Sequence, residues 1–279
     1  MDYDPVKDRL GRVFSQAAPL QRLFYGLLHL FFLRAWYVKR EVRQVLGQRP
    51  AGEPIRVLDA GTGFGQYAYY IVRTFPRAIV HAVDVKQDYL ANARRFLDQT
   101  PYGPRVTTAY DDLTDLRAEG PFDFILSVDV MEHIEADRTV FQHFARVLRP
   151  GGHVLINTPS DLGGSDVDQN DGESFIGEHV RDGYNLRELE GKLRDAGLEP
   201  VRSLYTYGPY GSLAWRMLIK RPIQWLDRSW LSAFLLPLYY LPVLPIGMAL
   251  HALDLRRPNA QGTGVLVVAQ KVKDPGTAG

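Results

Sequence analysis

The chain contains no cysteine. That absence excludes disulfides, thiolate metal sites and cysteine nucleophiles, and it suits a reducing compartment. An excess of one charge is also missing: 33 Lys+Arg stand against 32 Asp+Glu, a formal +1. No nucleic-acid partner is expected from so even a balance. The opening run "MDYDPVKDRLGRVF" has acids where a signal peptide has a basic start and an apolar stretch, so a cytoplasmic protein is expected. No internal repeat or low-complexity tract interrupts the 279 residues, enough for one α/β domain with substantial additions.

Apolar runs and helical spacings alternate through the middle of the chain. "IRVLDA" (55–60), "AIVHAVD" (78–84), "VTTAY" (106–110), "FDFILSVD" (122–129) and "HVLINT" (153–158) read as strands. Between them "GQYAYYIVRTF", "QDYLANARRFLDQ" and "DRTVFQHFARVL" have helical periodicity. Alternating βα units predict a parallel sheet with helices on both faces. "RPGG" (149–152) predicts a helix stop and a turn before the fifth strand. Asn185 with Glu188 predicts a capped helix stopped by Gly197, leading into a sixth strand near "PVRSLYTY"; "GVLVVAQKV" (264–272) reads as the last.

The stretch "RVLDAGTGFGQYAYY" (56–70) puts Gly61, Gly63 and Gly65 directly after the first strand, where missing side chains let backbone approach a ligand. Asp84 ends the second strand at the distance of a ribose-binding acid. Both features fit a dinucleotide or another nucleoside. Asp59 separates the two: its charge would repel a pyrophosphate and attract an ammonium, which favours S-adenosylmethionine over NAD.

With those residues the chain resembles the class I S-adenosylmethionine-dependent methyltransferases, particularly the broad group containing ubiquinone and menaquinone biosynthesis enzymes. "VLDAGTGFGQ", "VDV", "YDDL", "SVDVMEHI" and "LRPGGHVLINTP" look like five motifs of that family in order. The resemblance covers roughly residues 50–210 and the final strand. It implies a Rossmann-like α/β fold with a seven-stranded sheet, the last strand antiparallel and in a hairpin with the sixth. It also implies S-adenosylmethionine as cofactor, with Asp59 and Gly61 facing the methionine part, Gly63, Gly65 and Gln66 completing the turn, Asp84 and Val85 at the ribose, Asp112 and Leu113 at the adenine, and Ser127 and Asp129 beneath the sulfonium. A noncatalytic cofactor-binding module, and more weakly a nicotinamide-dependent reductase, are the competing classes.

Methyl transfer to a phenol or hydroxyl requires removal of a proton, and histidine suits that task near neutral pH. His179 is the first candidate base and His133 the second. Glu178, Arg181 and Tyr184 lie on the same loop as His179, and Asp129 and Glu132 precede His133. The D-x-x-E-H spacing of Asp129, Glu132 and His133 is close to a metal-associated E-x-x-E-H pattern, but the shorter first acid argues against assigning a metal. "SDVDQNDGE" (165–173) misplaces its glycine for an EF-hand and reads as a lid loop.

Residues 229–253 carry no formal charge over a length able to span a bilayer. A single crossing conflicts with strands on either side belonging to one sheet. Pro237, Pro242 and Pro245 predict bends, as in a hairpin that dips into the membrane and returns. Arg216, Lys220, Arg221, Arg228, Arg256 and Arg257 suit an anionic membrane surface, and Trp215, Trp225, Trp230, Tyr239 and Tyr240 suit its headgroup layer. "PLQRLFYGLLHLFFLRAWYVKR" near the start is apolar almost all round, so it needs burial on several sides.

These features divide the chain into an apolar helical cap (1–50), the cofactor-binding core (51–210), an apolar insertion (211–262), and the last strand with its tail (263–279). The expected activity is methylation of a hydrophobic or amphipathic small molecule, a quinone, phenol or lipid headgroup. O-methylation is slightly preferred. Peripheral or monotopic association with the inner face of the membrane is expected, and the sequence sets no oligomeric state.

Overall fold

The computed structural model describes residues 18–50, 52–163 and 180–272. Two helices come first, α1 (Ala18–Phe31) and α2 (Leu33–Gly47). The α/β core follows: β1 (Ile55–Ala60), α3 (Gln66–Thr74), β2 (Ala78–Asp84), α4 (Gln87–Asp98), β3 (Val106–Tyr110), β4 (Phe122–Val128), α5 (Asp137–Val147), β5 (Leu148–Pro159), α6 (Leu186–Asp195) and β6 (Leu198–Thr206). A helical excursion consists of α7 (Pro209–Trp215), a π-helical turn (Arg216–Lys220), α8 (Arg221–Arg228) and α9 (Leu236–Arg256), and β7 (Gly264–Lys271) closes the fold.

The sheet has seven strands in the order β3-β2-β1-β4-β5-β7-β6. The first five are mutually parallel, and β7 runs antiparallel to both β5 and β6. Alternate residues of each strand supply opposite cores, as a period of two requires. Val57, Phe124 and Leu155 face α1–α4, while Leu58, Ile125 and Ile156 face α5 and α6. The central strand β4, buried on both faces, accordingly reads as a nearly continuous apolar run.

Two local expectations need correction. Helix α5 passes into β5 without a loop, and the "RPGG" run lies inside that strand. Gly151, at φ 74°, accommodates an irregular register between β4 and β5 there. The N-terminal apolar segment is two helices, broken at Phe32, whose backbone is extended at φ −98°, ψ 112°. The break turns two different stripes inward: Phe24 and Tyr25 on one side, Leu33, Tyr37 and Val38 on the other. A sequence that looks apolar all round is the sum of two one-sided helices.

Nor do the prolines interrupt the helix of the insertion. Helix α9 runs unbroken through Pro242 and Pro245, and Pro237 sits in its first turn, where a missing N–H costs nothing. The interior prolines leave the carbonyls of Leu238 and Leu241 without their helical donors, and both residues are exposed. The return instead occurs at 229–235, between α8 and α9. The π turn leaves the Met217 and Leu218 carbonyls available, and the hydroxyls of Tyr239 and Tyr240 donate to them at 2.8 and 2.7 Å. These two tyrosines, expected at a headgroup layer, thus hold the helical pair together.

Asp254, fully buried near the end of α9, ties the excursion to the rest of the molecule. It accepts from the Tyr37 hydroxyl at 2.7 Å, the Gly211 amide at 2.8 Å and the Asn259 side chain at 3.2 Å. Ring contacts of Trp36 with His251 (5.5 Å) and Phe31 with Tyr240 (5.5 Å) extend the same interface.

Candidate active site

The glycine turn leaves β1 at the carboxyl end of the sheet, where open α/β folds hold their ligands. Gly61 (φ 79°) lies against Val130: an added Cβ would come within 2.3 Å of a Val130 methyl. Gly63 (φ 53°) differs, because a Cβ there would meet open space. Its left-handed backbone and bare surface make it the point of closest approach for a ligand.

Four amides of this turn are already spent. Gly61 and Thr62 both donate to the Val83 carbonyl at 2.9 Å, Gly65 donates to the Thr62 carbonyl at 2.9 Å, and Gly63 donates to Asp84 Oδ2 at 2.8 Å. A pyrophosphate-binding turn needs such amides free. Here one of them points at a carboxylate.

That arrangement corrects the expected role of Asp59. Its side chain is buried beneath the turn, where Oδ2 accepts from the Thr62 hydroxyl at 2.6 Å. Burial pushes its pKa up to about 6, the bonds from Thr62 and the Ala68 amide oppose the rise, and Asp84 adds to it. Asp59 shapes the turn from below, while the half-buried carboxylate disfavouring phosphate at its surface is Asp84. The other oxygen of Asp84 accepts from the Lys86 amide at 2.9 Å. Each oxygen keeps a lone pair for a hydroxyl.

The remaining expected cofactor residues lie along the same edge of the sheet. Gln66 opens α3, and Val85, exposed, follows β2. Asp112 caps the short turn Leu113–Asp115 by accepting from the Thr114 amide and hydroxyl, both at 2.8 Å, while Leu113 is buried. Ser127 is fully buried in β4, and its hydroxyl meets no partner among the described residues. Such an orphaned buried polar atom calls for a partner that the described residues do not supply.

Asp129, just past β4, adopts a left-handed backbone at φ 53°, a costly conformation for a residue with a side chain. Its carboxylate forms an ion pair with Arg34 of α2. Tyr67 and Tyr207 share this neighbourhood. The Arg34 amide donates to the Tyr207 hydroxyl at 3.2 Å, and the buried Tyr67 hydroxyl has no partner among the described residues. Burial drives the Tyr67 pKa upward, with Arg34 opposing and Asp129 reinforcing the change. The phenol therefore stays protonated.

Glu132 is buried and accepts from the Thr158 hydroxyl at 2.9 Å. Burial, followed by the nearby Asp129 charge, pushes its pKa up to about 8. His133 is half-buried at the end of the same short turn, with its amide bonded to the Val130 carbonyl. His179, Glu178 and the acidic run 165–173 fall outside the described residues. Arg181 and Tyr184 turn away to a structural role: both bind the Asp137 carboxylate, which Lys192 also reaches at 2.8 Å.

Arg34, Tyr67 and Tyr207 were not among the residues picked from sequence. Arg34 left one signal, a lone cation in the apolar run "FFLRAWY". The tyrosines left none, because nothing in sequence says which of fifteen tyrosines end beside one carboxylate.

Comparison with known proteins adds to this geometry. Residues 57–152 match a family model described as a methyltransferase domain. The ubiquinone/menaquinone biosynthesis C-methyltransferase of Syntrophotalea carbinolica is 33% identical over 157 residues, 56% of this chain and 62% of that protein. A trans-aconitate 2-methyltransferase of Methylobacterium nodulans is 29% identical over 123 residues, 44% of this chain and 45% of that protein. The chain spans about half the length of the curated relatives it matches. Phosphoethanolamine N-methyltransferase 2 of Haemonchus contortus, solved with S-adenosyl-L-methionine, superposes with a TM-score of 0.58 at 22% identity, over 84% of this chain and 53% of that one. That likeness is one of fold.

Proposed function

From a chain whose residues 57–152 match a methyltransferase-domain family model, we propose an enzyme that transfers a methyl group from S-adenosylmethionine to a hydrophobic or amphipathic small molecule at a membrane surface. The observation that carries the donor assignment is the glycine turn, bare at Gly63 and with the amides of Gly61, Thr62, Gly63 and Gly65 consumed internally. It suits a nucleoside without phosphate.

Asp84 accepts the ribose hydroxyls, Leu113 and Asp112 border the adenine, and Ser127 and Asp129 contact the methionine part. Gly61 and Gly63 let the backbone approach, with Gly65 and Gln66 completing the turn and Val85 flanking the ribose. The donor supplies an electrophilic methyl on a positively charged sulfur, so the protein's task is to hold the acceptor in line and manage its proton. Carboxylates suit a bound cation; Asp129 carries that charge, while Glu132 is held largely protonated at neutral pH by its burial. His133 and His179 are the candidate bases for a hydroxyl acceptor, which supports O-methylation. Tyr67 and Tyr207 keep their protons and orient the acceptor by hydrogen bonding.

The membrane assignment rests on the helical excursion. Leu231 (66% exposed), Phe234 (74%), Leu238 (69%) and Leu241 (72%) concentrate apolar surface at its tip. Because β6 and β7 are neighbours in one sheet, the excursion leaves and returns on the same side. The Leu238 and Leu241 carbonyls, deprived of donors by the prolines, favour the hydrated interface over the hydrocarbon core. The enzyme sits on the cytoplasmic face as a peripheral or monotopic protein.

Incubation with quinone and lipid extracts tests the activity. Release of S-adenosylhomocysteine together with a product heavier by one methylene supports it; cofactor binding without turnover on any extract would instead favour a noncatalytic module. Flotation with anionic liposomes tests the location, and Leu238→Glu with Leu241→Glu should abolish it.

A further inference from the structure

Away from the glycine turn, on the outer side of α2, lies a cavity of about 500 Å³ bordered by His29, Trp36, Lys39, Arg40, Arg43 and Leu255. We propose that this cavity binds a phosphate-bearing ligand through Lys39 and Arg43. The site stands independently of the membrane assignment.

Among the described residues, not every cation around it has an acidic partner. Arg40 is committed, with Nε 2.8 Å from Glu41 and a second nitrogen 2.6 Å from the Leu255 carbonyl. The other oxygen of Glu41 serves Arg202 at 3.3 Å. Lys39 and Arg43 rest instead near the ring of Tyr70, at 4.9 and 5.8 Å from its centroid. Among the described residues neither has an ion-pair partner, and the charge of Arg73 in the last turn of α3 bears on the same place.

Their effect is visible on neighbouring groups. Burial, then Arg43 and Arg73, lower the Lys39 ammonium to about 8. Burial, then Lys39 and Arg73, lower the His29 imidazole to about 3. The buried Nε2 of His29 has no hydrogen-bond partner among the described residues. A like-charge group with no internal counterion opposes folding, and an anion entering the cavity would relieve it. An ammonium and a guanidinium together match a phosphate, whose oxygens accept from both. The rings of Trp36 and His29 and the Leu255 side chain leave room for an organic substituent.

The same chemistry is offered by a soluble phosphate and by a lipid headgroup, and two probes separate them. Inorganic phosphate and glycerol 3-phosphate would be titrated into the full chain by calorimetry and thermal shift. Co-sedimentation would be measured on phosphatidylcholine vesicles with and without phosphatidic acid. The proposal expects phosphate-dependent stabilisation of the wild type, or vesicle binding that requires phosphatidic acid. Either signal should weaken about tenfold in Lys39→Gln and in Arg43→Gln, the loss of one charge-assisted hydrogen bond, with S-adenosylhomocysteine affinity unchanged. Binding in solution marks a soluble ligand, and binding only on phosphatidic acid vesicles marks a lipid. Absence of both signals in the wild type, or equal binding by wild type and folded variants, overturns the site. Leu238→Glu with Leu241→Glu separates the two proposals, since it removes membrane contact through the tip and leaves phosphate-induced stabilisation intact.

Discussion

Arg34 and Asp129 form an ion pair that joins the N-terminal helices to the end of β4. Each side chain is about a quarter exposed, so the pair contributes only about 0–1 kcal/mol to stability. Its value is positional. Asp129 is held in a left-handed backbone next to Val130, which packs against Gly61 of the glycine turn, and Arg34 fixes where its carboxylate points.

Arg34→Ala should therefore leave the melting temperature within a few degrees of wild type and lower turnover at least about tenfold, the scale expected from a misplaced reacting group. Asp129→Asn tests the same relationship from the other side, because asparagine tolerates the left-handed backbone while losing the charge. A large drop in melting temperature with unchanged specific activity would reassign the pair to structure.

Glu132 predicts a pH dependence of stability. Its folded pKa, about 8, lies above the usual carboxylate value because of burial and then Asp129. Between the unfolded and folded values the native state binds the extra proton, so this contribution is complete at low pH and is lost as pH rises through about 8. Each pH unit inside that window removes up to about 1.4 kcal/mol. Thermal melts from pH 6 to 9 should show falling stability, and Glu132→Gln should flatten the slope and exceed wild type at the alkaline end.

The two central glycines of the turn separate packing from access. Gly61→Ala drives a methyl into Val130, so it should destabilise the fold and abolish cofactor binding together. Gly63→Ala meets no neighbour but is strained at its positive φ, a cost of roughly 1–2 kcal/mol. That protein should fold and bind S-adenosylhomocysteine at least about tenfold more weakly, read by calorimetry.

Asp254 predicts coupling between the helical excursion and the N-terminal helices. Asp254→Ala strips the acceptor from the buried Gly211 amide and removes the carboxylate shared by the Tyr37 hydroxyl and Asn259, leaving Tyr37 to donate only to the residue's backbone carbonyl at 2.9 Å. The expected loss is roughly 3 kcal/mol, with protease cleavage appearing first between 209 and 256. A global melt with no early cleavage would show that the excursion does not open separately.

Much of the core was legible because its periodicities are strict. The run 55–60 and the run 78–84 coincide with β1 and β2, and Asn185 caps α6 by accepting from the Arg187 and Glu188 amides. Side-chain direction was not legible. Asp59 looked like the surface charge of the turn, yet Thr62 folds back onto it and leaves Asp84 at the surface. The prolines of α9 looked like helix breaks, yet the helix continues through Pro242 and Pro245, and Tyr239 and Tyr240 tie its start to the preceding π turn. Contacts such as Arg34 with Asp129 join residues almost a hundred positions apart, and no local pattern encodes them.

The most direct test of the account is a paired calorimetric titration of the purified full chain with S-adenosylhomocysteine and with NAD. A turn in which four amides are consumed by Val83, Thr62 and Asp84 predicts micromolar or tighter binding of the first and no heat from the second, with Asp84→Asn weakening the nucleoside. Tight NAD binding with none for S-adenosylhomocysteine would contradict it.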